Sequence, residues 1–358
     1  TTQLISNCYA MKKLYKIILT TAFAMFFGFN AKAQLDLGLL LEAGANDASK
    51  YLEGYMSPAF RGLGFGMNGG WYQTAKPHKT LGFDLTISLM ASQVPDVDEF
   101  FTFNNSDFEN FYFAGGNSTQ VPTMFGPNLG ADDLPQLSVR DFSDEDNDGD
   151  TMEELIRLSA PTGLGLEESE IGDLLPFNAV PVPMVQLGVG LIRGTDLKVR
   201  FIPEQNVEDD ASISLIGFGL MHDVTQWIPG EKIIPFSLSV VAGFTQLNTA
   251  IYLNDDQSQS MELEANSFLA QAIISKKLLF VTPYVGLGYA TANSTVSLKG
   301  SYETETTTLV DPISFDVQNS GLRANAGITL ELAVIRLNAE YAFQEYNTLT
   351  VGFGISIR

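Results

Sequence analysis

The chain has 358 residues, of which 45% are hydrophobic, with 32 glycines, 25 phenylalanines and a formal net charge of −22. A chain this acidic repels nucleic acid, so we expect no nucleic-acid partner. Cys8 is its only cysteine, which excludes a disulfide within the chain.

The beginning of the chain has the pattern of an export signal. Residues 1–10 precede Met11 and are interpreted as an upstream read-through. Three lysines, an apolar run over 17–29 and the cleavage pattern Ala31-Lys32-Ala33 predict a signal peptide at 11–33. Export, together with much glycine, many aromatic residues and no long apolar segment, favours a transmembrane β-barrel in the outer membrane of a Gram-negative cell, with lipid as its surroundings.

Residues 34–62 are predicted to form an N-terminal plug ahead of a barrel at 63–358. The stretch "NDASKYLEGYMSPAF" places Leu52, Tyr55 and Met56 on one helical face and ends at Pro58, where we expect the helix to stop. The glycines in the following "GFGMNG" match a nucleotide-binding spacing but lack a βαβ unit. They are better explained by tight packing of the plug against the barrel wall. The segment is then predicted to continue to Trp71 and Tyr72 as an aromatic-rich strand.

The last part of the chain shows period-2 alternation in three successive runs, at 322–332, 335–343 and 349–357. This repeat is typical of strands that face lipid on one side and a polar lumen on the other. An immunoglobulin-like sandwich is the alternative, but its inner face rarely holds Arg and Glu. The predicted fold is therefore all-β, an antiparallel transmembrane β-barrel of 10–14 strands with a short helical plug.

Seven further strands fit the pattern, at 79–94, 185–192, 196–202, 212–220, 236–248, 261–275 and 278–291. If the last strand ends in the periplasm, the short links "RGT", "SKK" and "AV" lie on that side. The longer links at 203–211, 249–260 and 292–321 then lie outside, as is usual in such barrels. The residues at 294–317 extend the flanking strands or add a hairpin. A long acidic external loop is predicted at 95–182, with "MEELIRL" as a short helix.

Charged and amide side chains fall on the predicted lumen faces or at their ends. Two interpretations stay open, namely pairing of charges across strands and a substrate path lined by them. The predicted lumen-lining residues are Arg193, Lys198, Arg200, Arg323, Asn325, Glu331, Arg336, Asn338 and Glu340.

The stretch "DEDNDGDTMEE" is similar to the first half of an EF-hand loop. Asp144, Asp146 and Asp148 have the required spacing, but Leu155 stands where a bidentate glutamate is needed. The expectation is a solvated acidic loop, with weak Ca²⁺ binding by these residues and Asp150 as the alternative. We expect no other cofactor.

No catalytic residues are predicted, and the protein is expected not to be an enzyme. The sequence has no G-x-S-x-G, no P-loop and no HExxH motif. His78, with its neighbouring lysines, is expected to lie solvated at a periplasmic turn.

Two long stretches carry a resemblance to a known group. "YLEGYMSPAFRGLGFGMNGGWYQTAKPHKTLGFDLT" and "PVPMVQLGVGLIRGTDLKVRF", with the ending "AEYAFQEYNTLTVGFGISIR", resemble a Bacteroidetes-type family of outer-membrane β-barrels of unknown function. The plug-then-barrel order also looks like the FadL-like fatty-acid transporter superfamily. That resemblance implies a channel or transporter for small hydrophobic molecules. The alternative is a structural or partner-binding barrel that docks a surface protein, whose identity the sequence does not give.

Overall fold

The structure, a computed structural model, describes residues 37–139, 156–165, 178–207, 210–229, 234–254, 256–304 and 307–357. The predicted signal peptide and the Asp144–Asp150 stretch lie outside the described residues. Two helices come first, α1 (Leu37–Glu42) and α2 (Ala45–Met67). Neither of these helices combines the length and the apolar character that crossing a membrane would require.

Seventeen strands follow in the described residues. They are β1 (Phe83–Gln93), β2 (Phe100–Asn104), β3 (Phe111–Phe113), β4 (Ser118–Pro122), β5 (Gln136–Val139), β6 (Ile156–Ser159), β7 (Ala179–Gly190), β8 (Thr195–Val207), β9 (Ala211–Asp223), β10 (Ser237–Tyr252), β11 (Ser260–Ser275), β12 (Val281–Lys299), β13 (Ser301–Glu303), β14 (Thr308–Val310), β15 (Ile313–Leu332), β16 (Ile335–Phe343) and β17 (Thr348–Ile357).

Ten of these strands form one closed antiparallel barrel. The order around it is β1-β17-β16-β15-β12-β11-β10-β9-β8-β7, so the first and last barrel strands are neighbours. The ten strands coincide with the ten predicted from alternation, which confirms the fold. Closure leaves no open sheet edge, and this is what a β-structure needs in order to lie in lipid.

Successive side chains of each strand point alternately out of the barrel and into it, and the outward-facing side chains form an apolar outer wall. In β1, Leu85 and Ile87 are exposed on the outside, whereas Asp84, Thr86 and Ser88 are buried on the inside. The same division repeats around the barrel. An apolar outer band with a polar interior is the pattern of transmembrane barrels.

The two ends of the barrel differ. At the short-turn end, β7–β8, β11–β12 and β15–β16 are joined by a few residues. At the long-loop end, the strands continue beyond the predicted limits, and β12 and β15 reach 19 and 20 residues. Much of the predicted links at 203–211, 249–260 and 292–321 is therefore strand, and the β13–β14 hairpin joins β12 to β15.

The long external segment between β1 and β7 is partly folded. It contains a two-stranded sheet, β2-β4, and a three-stranded sheet, β3-β5-β6. We call the described residues of 94–178 the cap. The helix predicted for "MEELIRL" is wrong at its C-terminal end, because Ile156–Ser159 forms a strand that pairs with β5.

Helix α2 is longer than predicted. It continues through Pro58 to Met67 instead of ending at the proline. Interior proline costs a helix roughly 3 kcal/mol, but Tyr55, Met56, Ala59 and Phe60 on both sides of it are buried. Burial of this face offsets the cost. The boundary predicted at 62/63 therefore falls inside the helix.

Candidate functional site

The lumen holds a continuous piece of the chain, which we call the plug: α2 and the segment 68–78. Helix α2 enters from the long-loop end, where its first half contacts the cap. Its second half lies against β15, β7, β12 and β1. The segment 68–78 then continues to the short-turn end, where β1 begins. Because this segment is not paired with the barrel strands, the aromatic-rich strand predicted at Trp71 and Tyr72 is wrong.

The first half of the plug lies outside the lumen. Tyr51 makes ring contacts with Phe101 and Phe103 of the cap at 5.5 and 6.4 Å. The Tyr55 hydroxyl donates to the carbonyl of Thr162 over 3.1 Å, and the Tyr55 carbonyl accepts from the Met124 amide. Leu52, Tyr55, Met56 and Pro58, the predicted plug residues, are buried at this level. Among them, Tyr55 joins the plug to the cap through these two hydrogen bonds.

The second half of α2 approaches the wall through glycines. A Cβ on Gly62 would lie 2.3 Å from a methyl of Val180, and one on Gly64 would lie 2.6 Å from Ala292. A Cβ on Gly66 would lie 2.5 Å from Val182. Only glycine allows so close an approach of helix to strand. The packing function predicted for the glycine-rich stretch agrees with these contacts.

Arg200 of β8 fastens the middle of the plug. Its guanidinium donates to the carbonyls of Met67 and Gly69 at 2.7 and 2.5 Å and to the side-chain oxygen of Gln186 at 3.1 Å. It also lies 3.6 Å from the centre of the Trp71 ring. The Met67 carbonyl is at the C-terminal end of α2, where helix carbonyls lack partners within the helix. Arg200 thus supplies donors where the helix ends.

A buried charge cluster closes the short-turn end. His78 donates its backbone N–H to Asp196 at 2.8 Å, and its ring Nδ1 lies 2.8 Å from the other oxygen of the same carboxylate. Its Nε2 lies 3.5 Å from Asp84, and Lys198 lies 3.9 Å from both carboxylates. All four side chains are almost fully buried. The expectation of a solvated His78 is therefore wrong, because the plug carries it into the lumen.

A second polar network joins the plug to the opposite wall. The Tyr72 hydroxyl lies 3.0 Å from the side-chain oxygen of Gln271 and 2.8 Å from that of Asn325. Arg323 pairs with Glu340 at 2.7 Å in the same region. Arg336 lies 3.6 Å from Glu331, which also pairs with Lys277. These are pairings across neighbouring strands, as one of the two interpretations of the lumen charges required.

Eight of the nine predicted lumen-lining residues lie on the inner wall or at its end. Seven are buried, and Glu331 is half-buried at the short-turn end. They are Lys198, Arg200, Arg323, Asn325, Glu331, Arg336, Asn338 and Glu340. The prediction that Arg193 lines the lumen is wrong, because this residue lies exposed in the β7–β8 turn, with a φ of 58°.

Sequence reasoning missed two residues of the inner wall that contact the plug closely. A Cβ on Gly219 or Gly243 of the inner wall would lie 2.6 or 2.4 Å from the Trp71 ring. Gly219 and Gly243 lie opposite each other on neighbouring strands, and both positions face inward. Two glycines at this place leave space for the large Trp71 side chain. That pairing was the available signal, but it required the register. The four aspartates of the possible Ca²⁺ site lie outside the described residues.

The fold and the lumen define this protein as an outer-membrane type of β-barrel with an internal plug. The chain belongs to a family of unknown function, DUF6588, which matches residues 11–357. No curated protein sequence matches the chain significantly.

Known barrels show a distant similarity. Ail, the attachment invasion locus protein of Yersinia pestis, is 8% identical over 78% of this chain and 99% of its own, with a TM-score of 0.26. The translocator domain of the autotransporter NalP from Neisseria meningitidis is 9% identical over 87% and 98%, with a TM-score of 0.25. The outer-membrane channel DcaP of Acinetobacter baumannii is 11% identical over 79% and 100%, with a TM-score of 0.14. These similarities carry no information on function, so the function proposed below is inferred from the residues of this chain alone.

Proposed function

We propose that this protein is an outer-membrane barrel held shut by its plug, which acts as a scaffold presenting the cap to a partner at the cell surface. The observation that carries the proposal is the bonding of the plug to the wall at successive levels. Arg200 holds its middle, Tyr72 holds the opposite wall and His78 holds the short-turn end. A diffusion pore needs a water-filled path, whereas here buried side chains and plug backbone occupy the lumen.

The orientation of the barrel follows from its two ends. Short turns face the periplasm in bacterial outer-membrane barrels, and longer loops face the outside. The cap and the first half of α2 would then lie at the cell surface. Export by the predicted signal peptide is part of this proposal, and so is the absence of a catalytic role.

Conductance in planar bilayers tests the closed state. The wild-type protein is expected to give no steady open level, and removal of residues 37–78 is expected to create one because the lumen loses its filling. Removal of residues 37–58 alone is the matched control. It takes away the half that contacts the cap but leaves 59–78 in the lumen, so conductance stays low. A steady open level in the wild-type protein would overturn the closed scaffold.

A second candidate function is transport of small hydrophobic molecules, as in the FadL-like interpretation. The observation that favours it is the apolar inner wall of the long-loop half, where Leu215, Leu247 and Leu263 are buried. Porin interiors are polar, so an apolar interior suits an apolar cargo. The same side chains also form one cluster with α2 and the cap. Packing alone therefore accounts for them if the plug never moves.

A disulfide across plug and wall separates the two functions. The Thr74 and Ser275 hydroxyl oxygens are 3.2 Å apart, so cysteines at both positions, with Cys8 changed to Ser, can be oxidised to fix the plug. If the protein is a transporter, oxidation stops uptake of radiolabelled oleate into expressing cells, and reduction restores it. If it is a closed scaffold, oxidised and reduced cells take up the same amount. The Thr74→Cys single variant is the control.

A further inference from the structure

The outer wall carries a groove of about 390 Å³ across four neighbouring strands, β10, β11, β12 and β15. Its lining residues are Phe244, Asn266, Ser267, Phe268, Thr291, Ala292, Asn293, Gln318, Asn319 and Ser320. Ser267, Ala292 and Asn319 are buried positions whose side chains alternate inward, so they contribute the floor of the groove. The other residues project from the outer wall.

The register explains why a hollow exists at this place. Phe218, Phe244 and Phe268 stand side by side on three strands, and the same row continues with Thr291 and Ser320. A row of three large rings thus gives way to two small hydroxyl side chains. The step in side-chain size leaves the space, bordered by Phe268 on one side.

The next row toward the long-loop end consists of amides. Gln246, Asn266, Asn293 and Gln318 are consecutive in register across the four strands. We call them the amide row. The side-chain oxygen of Asn293 is buried without a hydrogen-bond partner among the described residues. A buried acceptor without a donor costs free energy. Asn293 lines the groove, so a turn of its side chain toward the groove would let a ligand hydroxyl donate to this oxygen.

The next row toward the short-turn end is apolar. It contains Ala242, Ala270, Tyr289 and Leu322. The groove therefore lies at the boundary where the apolar outer band ends. In a membrane this is the level at which acyl chains meet headgroups. A lipid at this level would place its chain on the alanines and its headgroup at the amide row.

The charges near the groove select among headgroups. One row beyond the amides, Glu264 and Asp316 are acidic, and Gln246 and Asn266 both donate to the Glu264 carboxylate at 3.2 Å. The carboxylates of Glu264 and Asp316, one row beyond the amide row, repel a negatively charged phosphate headgroup. Hydroxyl groups of a sugar can donate to Asn293 and accept from the Thr291 and Ser320 hydroxyls at no such cost.

We propose that this groove binds a lipid of the outer leaflet through an uncharged, hydroxyl-rich sugar headgroup, with an acyl chain along Ala242 and Ala270. The groove opens on the outer wall, so the proposal does not depend on whether the lumen transports anything. Sugar recognition here would use neutral hydrogen bonds, worth about 1 kcal/mol each.

Native mass spectrometry of the purified protein in a sugar-free detergent tests the proposal. The two probes are monoglucosyl dioleoylglycerol and dioleoylphosphatidylglycerol, which share their acyl chains and differ in the headgroup. The wild-type protein is expected to retain one glucolipid with roughly thirtyfold preference, as two hydrogen bonds would give. Ser320→Phe fills the hollow and Asn293→Leu removes the acceptor, and each is expected to abolish the preference.

Ala339→Phe is the matched control, because it adds the same ring to an exposed outer-wall position on β16, away from the groove. It should keep the preference. Heat-modified migration on gels shows whether each variant has folded, and Asn293→Leu, which adds no bulk, covers the case in which Ser320→Phe does not fold. Equal retention of both probes, preference for the phospholipid, or a preference that survives both groove variants would overturn the proposal.

Discussion

The two halves of the lumen solve the same packing problem in different ways. The long-loop half of the inner wall is apolar, with Leu247, Leu263 and Val296 buried, and a helix fills it. The short-turn half is polar and charged, and an extended segment fills it. The difference reflects what each part of the plug needs from the wall.

A helix satisfies its own backbone, so α2 requires only an apolar surface, whereas an extended segment presents unpaired N–H and C=O groups. The wall of the short-turn half supplies their partners. Thr329 donates to the Gln73 carbonyl and Ser239 donates to the Ala75 carbonyl, both at 2.6 Å. Ser275 accepts from the Ala75 amide at 2.9 Å. Polarity of the wall thus follows the hydrogen-bonding state of the plug.

The largest effect is expected where the two halves meet, at Arg200. Arg200→Met keeps the volume but leaves the carbonyls of Met67 and Gly69 without their donor, and it removes the stacking on Trp71. Each buried carbonyl left without its donor costs about 1–3 kcal/mol, and two are lost here. We expect the urea midpoint of unfolding to fall accordingly.

Arg193→Met provides the control for this prediction, because Arg193 is an exposed arginine one turn away on the same hairpin. Exposed substitutions usually change stability by less than about 0.5 kcal/mol. If both variants unfold at the wild-type urea concentration, Arg200 does not hold the plug.

A smaller effect is expected at the contact of α2 with the cap. The Asp47 carboxylate accepts from the backbone amides of Glu109, Asn110 and Phe111 at 2.6–3.0 Å. Asp47→Ala strands these donors, at a cost of about 1–3 kcal/mol. We expect thermolysin to cut the cap faster while the barrel stays folded. Glu53→Ala, on the exposed face of the same helix, should be cut at the wild-type rate.

The barrel itself could be predicted because its signal is local. Each strand alternates for about ten residues, and Ile335–Phe343 or Thr348–Ile357 shows this without reference to any other strand. The lumen faces of Arg323, Arg336 and Glu340 follow from the same alternation. Arg193 follows the predicted strand 185–192 and lies in a turn, where alternation does not predict the direction of a side chain.

The plug could be predicted only in part because its contacts are distant in sequence. Pro58 and the glycines at 62, 64 and 66 weaken a helix by propensity, so the local signal ends early. The contacts of Gly62 with Val180 and of Gly64 with Ala292 restore the helix, but they join residues more than a hundred positions apart. The burial of His78 depends in the same way on Asp196, a residue 118 positions away.

The smallest effect we predict is a pH dependence confined to the cap. Burial raises the pKa of Tyr55 to about 12, and burial also raises the pKa of Tyr51. Because the folded state raises the pKa of this hydroxyl, folding is more favourable while the hydroxyl is neutral than when it is ionised. Its contribution is therefore complete below the unfolded value near 10 and is lost as the pH rises from there toward 12. We expect thermolysin-sensitive opening of the cap to increase over this window. Tyr55→Phe cannot ionise and loses only the bond to Thr162, so it should open slightly more at pH 8 and show a weaker rise above pH 10. A rise of the same size in both proteins would show that Tyr55 ionisation does not control the contact between plug and cap.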